Sequence, residues 1–219
     1  MHLFRTLMLI VGLTALAHPA LAQSAKLFDV TITNVTRAQS FTPFLVTTHA
    51  PEVSLFVAGE PASAELEILA EDGNTEPLAG VLAGLGKAVG DVQGSAGLLD
   101  PGKSVTVRVE ATRRASVLSF AAMLIPTNDN FVALDSLPLP RRGAATAMVP
   151  AYDAGTEIND QDCANIPGPV CGGEGFSEAP GEGYVYIGNG FHDLGEGTLG
   201  PATYDWRNPV AKVTVERVQ

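Results

Sequence analysis

Three acids in the 219-residue chain stand out by the segments that carry them. Asp153 and Glu157 flank Gly155 in PAYDAGTE, residues 150–157, and Asp129 lies upstream in IPTNDNFVALD, residues 125–135. A glycine between two acids lets the backbone reverse, so that both side chains can point at one place. Asp129 follows a long apolar run, and Asp153 and Glu157 follow the strand-like AATAMVP; if those two strands are neighbours, all three carboxylates meet at one end of the fold. Like charges that close repel unless they are protonated or neutralised, and a hard divalent cation does the latter. Calcium suits such a set, because it takes six to eight oxygens at flexible angles, whereas magnesium demands a strict octahedron. No EF-hand is present, since neither NDNFVALD nor EINDQD has glycine at its sixth position. The plain alternative is that these are solvated loop acids, the usual state of carboxylates in an acidic chain.

Other chemistries are poorly supported. GEGTLG, residues 195–200, has dinucleotide-loop spacing, but Pro201 stands where a helix should begin and no strand precedes it. No G-x-S-x-G elbow occurs, and neither His49 nor His192 sits in a pattern that marks a base, so no catalytic set is expected. His49 reads as a hydrogen-bonded structural residue and His192 as a surface one. Asn34-Val35-Thr36 is a glycosylation sequon. The two cysteines, Cys163 and Cys171, share one Gly/Pro-rich stretch, DCANIPGPVCGGEG. In an oxidising compartment such a pair forms a disulfide that staples its own loop; a zinc site would need further ligands nearby.

The elements that must position these residues are mostly strands. LFDVTIT (27–33), SVTVRVEA (104–111) and AKVTVERV (211–218) alternate apolar with polar, while SVLSFAAMLIP (116–126) is apolar enough for a central strand covered on both faces. PASAELEILAEDG (61–73) breaks the period and reads as one short helix, with Pro61 at its start and Gly73 at its end. Residues 77–102 show no clear period and read as loop with at most one strand. Residues 154–205 are rich in Gly and Pro, with a strand only at Tyr184–Ile187; a loop this long is functional, mobile or stapled.

Bulk properties set the compartment and the partners. A basic start at His2 and Arg5, an apolar run from Leu7 to Leu16 and Ala20-Leu21-Ala22 form a signal peptide over residues 1–22, leaving one domain over 23–219. The chain is therefore expected to be exported, whether periplasmic, cell-surface or extracellular, with no transmembrane segment after processing. Thirteen basic against 24 acidic residues give a net charge of −11, which argues against nucleic acid and anionic membranes as direct partners.

LSFAAMLIPTNDNFVAL, with Pro126, Asp129 and Phe131, resembles a spondin-domain stretch in which a buried strand is followed by proline, aspartate and an aromatic. PAYDAGTE resembles the aromatic-Asp-Ala-Gly-Thr-acid motif of the same domain, and PVAKVTVERV its closing strand. Phe41-Thr42-Pro43, His49, Gly59, Ala62-Ser63, Ala70-Glu71 and Gly73 fall in the order of its N-terminal half. The resemblance implies an all-β, antiparallel, C2-like β-sandwich that binds calcium at one end through Asp129, Asp153 and Glu157. Glutamate replaces the more usual aspartate at 157, and Asn130 intervenes before the aromatic. The expected role is binding or adhesion, with an extracellular or cell-surface protein or glycan as the expected partner class; the adhesive partners of the family's animal proteins do not transfer. Two other classes stay open: a metal-dependent hydrolase, which needs an open coordination position and a base, and a calcium-dependent lipid-surface module.

Overall fold

The computed structural model describes residues 25–177, 180–196 and 198–218; the signal-peptide reading lies outside them. Two antiparallel sheets face each other. The smaller contains β1 (Lys26–Asn34), β5 (Ser104–Ala111), β8 (Ala144–Val149) and β11 (Ala211–Arg217), in the order β5-β1-β11-β8. The larger contains β3 (Leu45–His49), β4 (Val89–Gly94), β6 (Val117–Ile125), β7 (Asn130–Pro138), β9 (Ala151–Asp153) and β10 (Tyr186–Ile187), in the order β10-β9-β7-β6-β3-β4. The short β2 (Ser40–Phe41) pairs with β6 beside that path. The expected all-β sandwich is what forms.

The alternation in the sequence explains the smaller sheet. Phe28, Val30 and Ile32 of β1 are fully buried, as are Val213 and Val215 of the paired β11, while the intervening residues are less covered. These side chains meet Phe120, Ala122 and Leu124 from β6 in the core between the sheets. Ala121 on the opposite face of β6 belongs to a second core, with Phe131, Leu66 and Leu69. Every residue of β6 is therefore buried, as its unbroken apolar run requires.

The cover on that outer face is helical. α1 (Ala64–Asp72) starts three residues beyond Pro61, because Ser63 serves as its N-cap and accepts a hydrogen bond from the Leu66 N–H at 3.2 Å. Gly73 closes it with φ of 68°, pressed so tightly on Thr42 that no side chain fits there. A second helix, α2 (Glu76–Gly84), departs from the expectation of loop after residue 77. Pro77 suits its first turn, and Leu78 and Leu82, four apart, are its buried anchors; Gly80 and Gly84 had hidden that spacing. The strand allowed for in this stretch is β4.

The long loop contains a third helix, α3 (Pro201–Tyr204), and a disulfide between Cys163 and Cys171. The bridge closes a loop of eight residues' separation. Replacing both cysteines with serine is expected to lower the unfolding free energy by about 2–3 kcal/mol, measurable by urea titration with and without a reductant. His49 is fully buried, with Nδ1 2.9 Å from the Ala50 carbonyl and Nε2 2.6 Å from Ser119 Oγ, which makes it structural as expected. His192 is exposed.

Candidate metal centre

Asp129 and Asp153 are brought together by a strand pair that the sequence does not advertise. β8 and β6 lie in different sheets, so the neighbour relation expected between AATAMVP and the apolar run does not exist. The link is made by β7 and β9 instead: Asn130 stands opposite Asp153, and Phe131 opposite Tyr152. The Phe131 and Tyr152 rings stack at 5.8 Å, and Phe56 packs edge-on against both, which fixes this register. Asp129 sits one residue before β7, in a turn where Thr127 Oγ1 accepts the Asn130 N–H at 3.2 Å.

The DAGTE segment wraps around the Asp129 carboxylate. Its Oδ2 accepts the N–H groups of Thr156 at 2.8 Å and Glu157 at 3.1 Å, together with the Thr156 hydroxyl at 3.3 Å. Gly155 makes the wrap possible: its φ is 67°, and a Cβ there would collide with the Tyr184 carbonyl oxygen. Gly155→Ala is expected to destabilise the protein by about 3 kcal/mol or more, combining left-handed strain with overpacking, and denaturant unfolding would measure it.

Asp153 has its own cradle. Oδ2 accepts from Asn130 Nδ2 at 2.9 Å and Asn159 Nδ2 at 2.8 Å, and Oδ1 accepts the Gly155 N–H at 2.9 Å. Asn159 also donates to the Tyr186 hydroxyl at 3.1 Å. All three expected acids are buried: Asp129 is 0% exposed, Asp153 1% and Glu157 4%. The ion pairs among the described residues, Arg108–Asp29, Arg114–Glu52 and Arg207–Asp205, lie elsewhere.

Burial without a basic partner has the expected electrostatic consequence. Loss of hydration, then the neighbouring Asp153 charge, push the Asp129 carboxyl up to about 8. Burial also raises Asp153, against the hydrogen bonds from Asn159 and Gly155. Glu182 adds negative potential to both.

Glu157 behaves differently. Its backbone N–H serves Asp129, but its carboxylate accepts from Ser177 Oγ at 2.6 Å. Burial raises it to about 7, against the hydrogen bond from Ser177, and the charge of Glu71 is the largest carboxylate contribution. Glu71, in α1, is fully buried, raised by burial, and accepts the Ser177 N–H at 2.9 Å. The acids thus sort into an Asp129–Asp153 pair and a Glu157–Glu71 pair joined through Ser177. Among the described residues no three His, Cys, Asp or Glu side chains stand ready as a coordination cluster.

The donor chemistry still fits a hard cation. Asp129 Oδ1, Asn130 Oδ1 and Glu157 Oε2 are buried oxygens with no hydrogen-bond partner among the described residues, which is costly for any acceptor and most costly for a carboxylate. Asn130, Asn159, Glu71, Ser177 and Glu182 were not singled out as site residues from the sequence. Only the cross-strand register identifies Asn130, and only the return of the long loop identifies Ser177 and Glu182.

The Spondin_N family model matches residues 29–160, which spans both Asp129 and the DAGTE segment. The chain belongs to the spondin family. No curated protein matches the chain. Spondin domains are typically extracellular and are not an enzyme family, and the Cys163–Cys171 disulfide accords with an oxidising compartment. Among the described residues no helix is long and apolar enough to cross a membrane. The match ends at Asp160, so the disulfide loop, β10, α3 and β11 lie beyond the matched part of this spondin domain.

Proposed function

We propose that this spondin domain is an exported binding or adhesion module whose acid-bearing end is held together by one calcium ion. The observation that carries the reading is the juxtaposition of two fully buried aspartates across β7 and β9, with no basic side chain between them. Asp129 and Asp153 would hold the ion, and Glu157 would join them by giving up its hydrogen bond to Ser177. Calcium tolerates such a mixed set, because the remaining positions can be filled by amide or backbone oxygens and water. The ion supplies charge neutralisation; the protein supplies donors from separate turns, which an unfolded chain cannot gather.

The effect on function is positional. With its charge cancelled, the DAGTE segment stays folded over Asp129, and the loops around it keep one shape for a partner to recognise. Binding only to the folded state, calcium at 100 times its Kd adds about 2.7 kcal/mol. We expect a Tm increase of roughly 5–10 °C in calcium relative to EDTA, and Asp153→Ala to remove most of that increase. A variant that responds as fully as the parent would show that Asp153 is not a ligand.

A further inference from the structure

Beside the aspartate pair lies a cavity of about 180 Å³. One wall comes from the turn before β7 and the segment after DAGTE, with Asn128, Asn130, Asn159 and Gln161. The other comes from beyond the family match, with Tyr186, Phe191 and Trp206. Glu182 and Asn189, both exposed, also line it.

This is a built site. Gln161 fixes the far wall by donating from Nε2 to the carbonyls of His192 at 2.8 Å and Leu199 at 2.9 Å, while its Oε1 accepts the His192 N–H at 2.8 Å. Gly190 brings the backbone so close to the Trp206 carbonyl that no Cβ fits. The Phe191 and Trp206 rings stand 5.5 Å apart at 74°, forming two walls of a corner. Tyr186 connects the cavity to the acid pair through Asn159.

The lining selects a class of ligand. No lysine or arginine lines the cavity, and the nearby carboxylates together with the net charge of −11 disfavour an anion. Aromatic faces beside amides suit a molecule with C–H surfaces and hydroxyl edges. The side-chain amides of the lining, such as Asn128 and Asn189, carry both donors and acceptors, which matches hydroxyl groups; an ammonium group can use only the acceptors. Drug-sized ligands need roughly 300–1,000 Å³, so the space admits a single ring.

We propose that this cavity binds one neutral sugar residue, the terminal unit of a glycan. The proposal names the partner class of the binding module described above. Trp206 is the chain's one tryptophan, so its fluorescence reports on the cavity. The full exported chain would be titrated with the methyl glycosides of glucose, galactose, mannose and N-acetylglucosamine, in calcium and in EDTA. Tetramethylammonium would serve as the cationic control, and saturation-transfer NMR on the same sugars as a second readout. At least one glycoside should give a saturable emission change and an NMR response, with Kd at least tenfold weaker in the rim variants Asn189→Ala and Glu182→Gln. Silence from all four sugars by both methods would overturn the proposal. So would a response to tetramethylammonium alone, which would identify a cation cage. The Tm shift in calcium follows the metal reading independently, so failure of either is recognised separately.

Discussion

With calcium chelated, the domain is expected to lose stability as pH rises from 5 to 8. Asp129 titrates at about 8 in the folded protein against 3.8 in the unfolded chain, and Glu157 at about 7 against 4.5. Between those values the folded state holds protons that the unfolded state has released, so the unfolding free energy falls with increasing pH. The stabilisation is complete below about pH 4 and is lost as pH passes through the folded values. Asp129 alone, retaining one proton at about 1.4 kcal/mol per pH unit, contributes roughly 3–4 kcal/mol over this range and a Tm decrease of about 10 °C, with Glu157 acting in the same direction. Added calcium should reverse the trend, because it replaces the protons and binds best when the carboxylates are ionised. A flat Tm profile in EDTA between pH 5 and 8 would show that the aspartate pair relaxes into solvent when it ionises.

The second large effect is a stabilising mutation. Asp129→Asn can place its amide oxygen where Oδ2 accepts the Thr156 and Glu157 N–H groups while removing one of two adjacent buried charges. In EDTA at pH 8 it is expected to raise stability by roughly 2–4 kcal/mol, since an unpaired buried charge carries a penalty of that order. In calcium the order reverses: the parent gains and the variant does not. A purely structural role for Asp129 would give the opposite result in EDTA, with the variant weaker than the parent at every pH. Urea unfolding at two pH values, with and without the ion, separates these outcomes.

Much of this could be read along the chain, and what could not has a common cause. Period-two alternation located β1, β5 and β11, and the unbroken apolar run of β6 announced cover on both faces, because side-chain direction in a strand follows from local sequence. The helix α1 was visible through its break in period and Gly73, whose cap role is local, although its start was read at Pro61 rather than at the Ser63 cap. α2 was not, because a helix rich in Gly and Ala shows little period until its neighbours are known. The motif acids were legible as a set, yet the reason for their meeting was not. Convergence had been expected from β6 and β8, but β8 crosses to the other sheet and the three-residue β9 makes the pairing. A strand that short has no signature of its own and exists through its register with β7. Likewise nothing near Glu157 in the sequence tells that Ser177, twenty residues on, accepts the task of holding its carboxylate beside Glu71.

The segment beyond residue 160 is joined to the matched part by strand pairing and close contact. Gly155 is covered by Tyr184, Asp153 pairs with Tyr186, and β11 completes the smaller sheet between β1 and β8. The segment beyond residue 160 therefore closes over the acid pair and supplies the aromatic wall of the neighbouring cavity. Recognition specific to this chain is expected to reside there, on a frame set by the matched part.

The decisive measurement is a crystal structure of residues 23–219 grown in saturating calcium, with the anomalous signal used to find the ion. We expect one calcium bound directly by the carboxylates of Asp129 and Asp153, with Glu157 turned from Ser177 toward it. No ion at this position, with both aspartates keeping only their hydrogen bonds to Thr156, Asn130 and Asn159, would contradict the account.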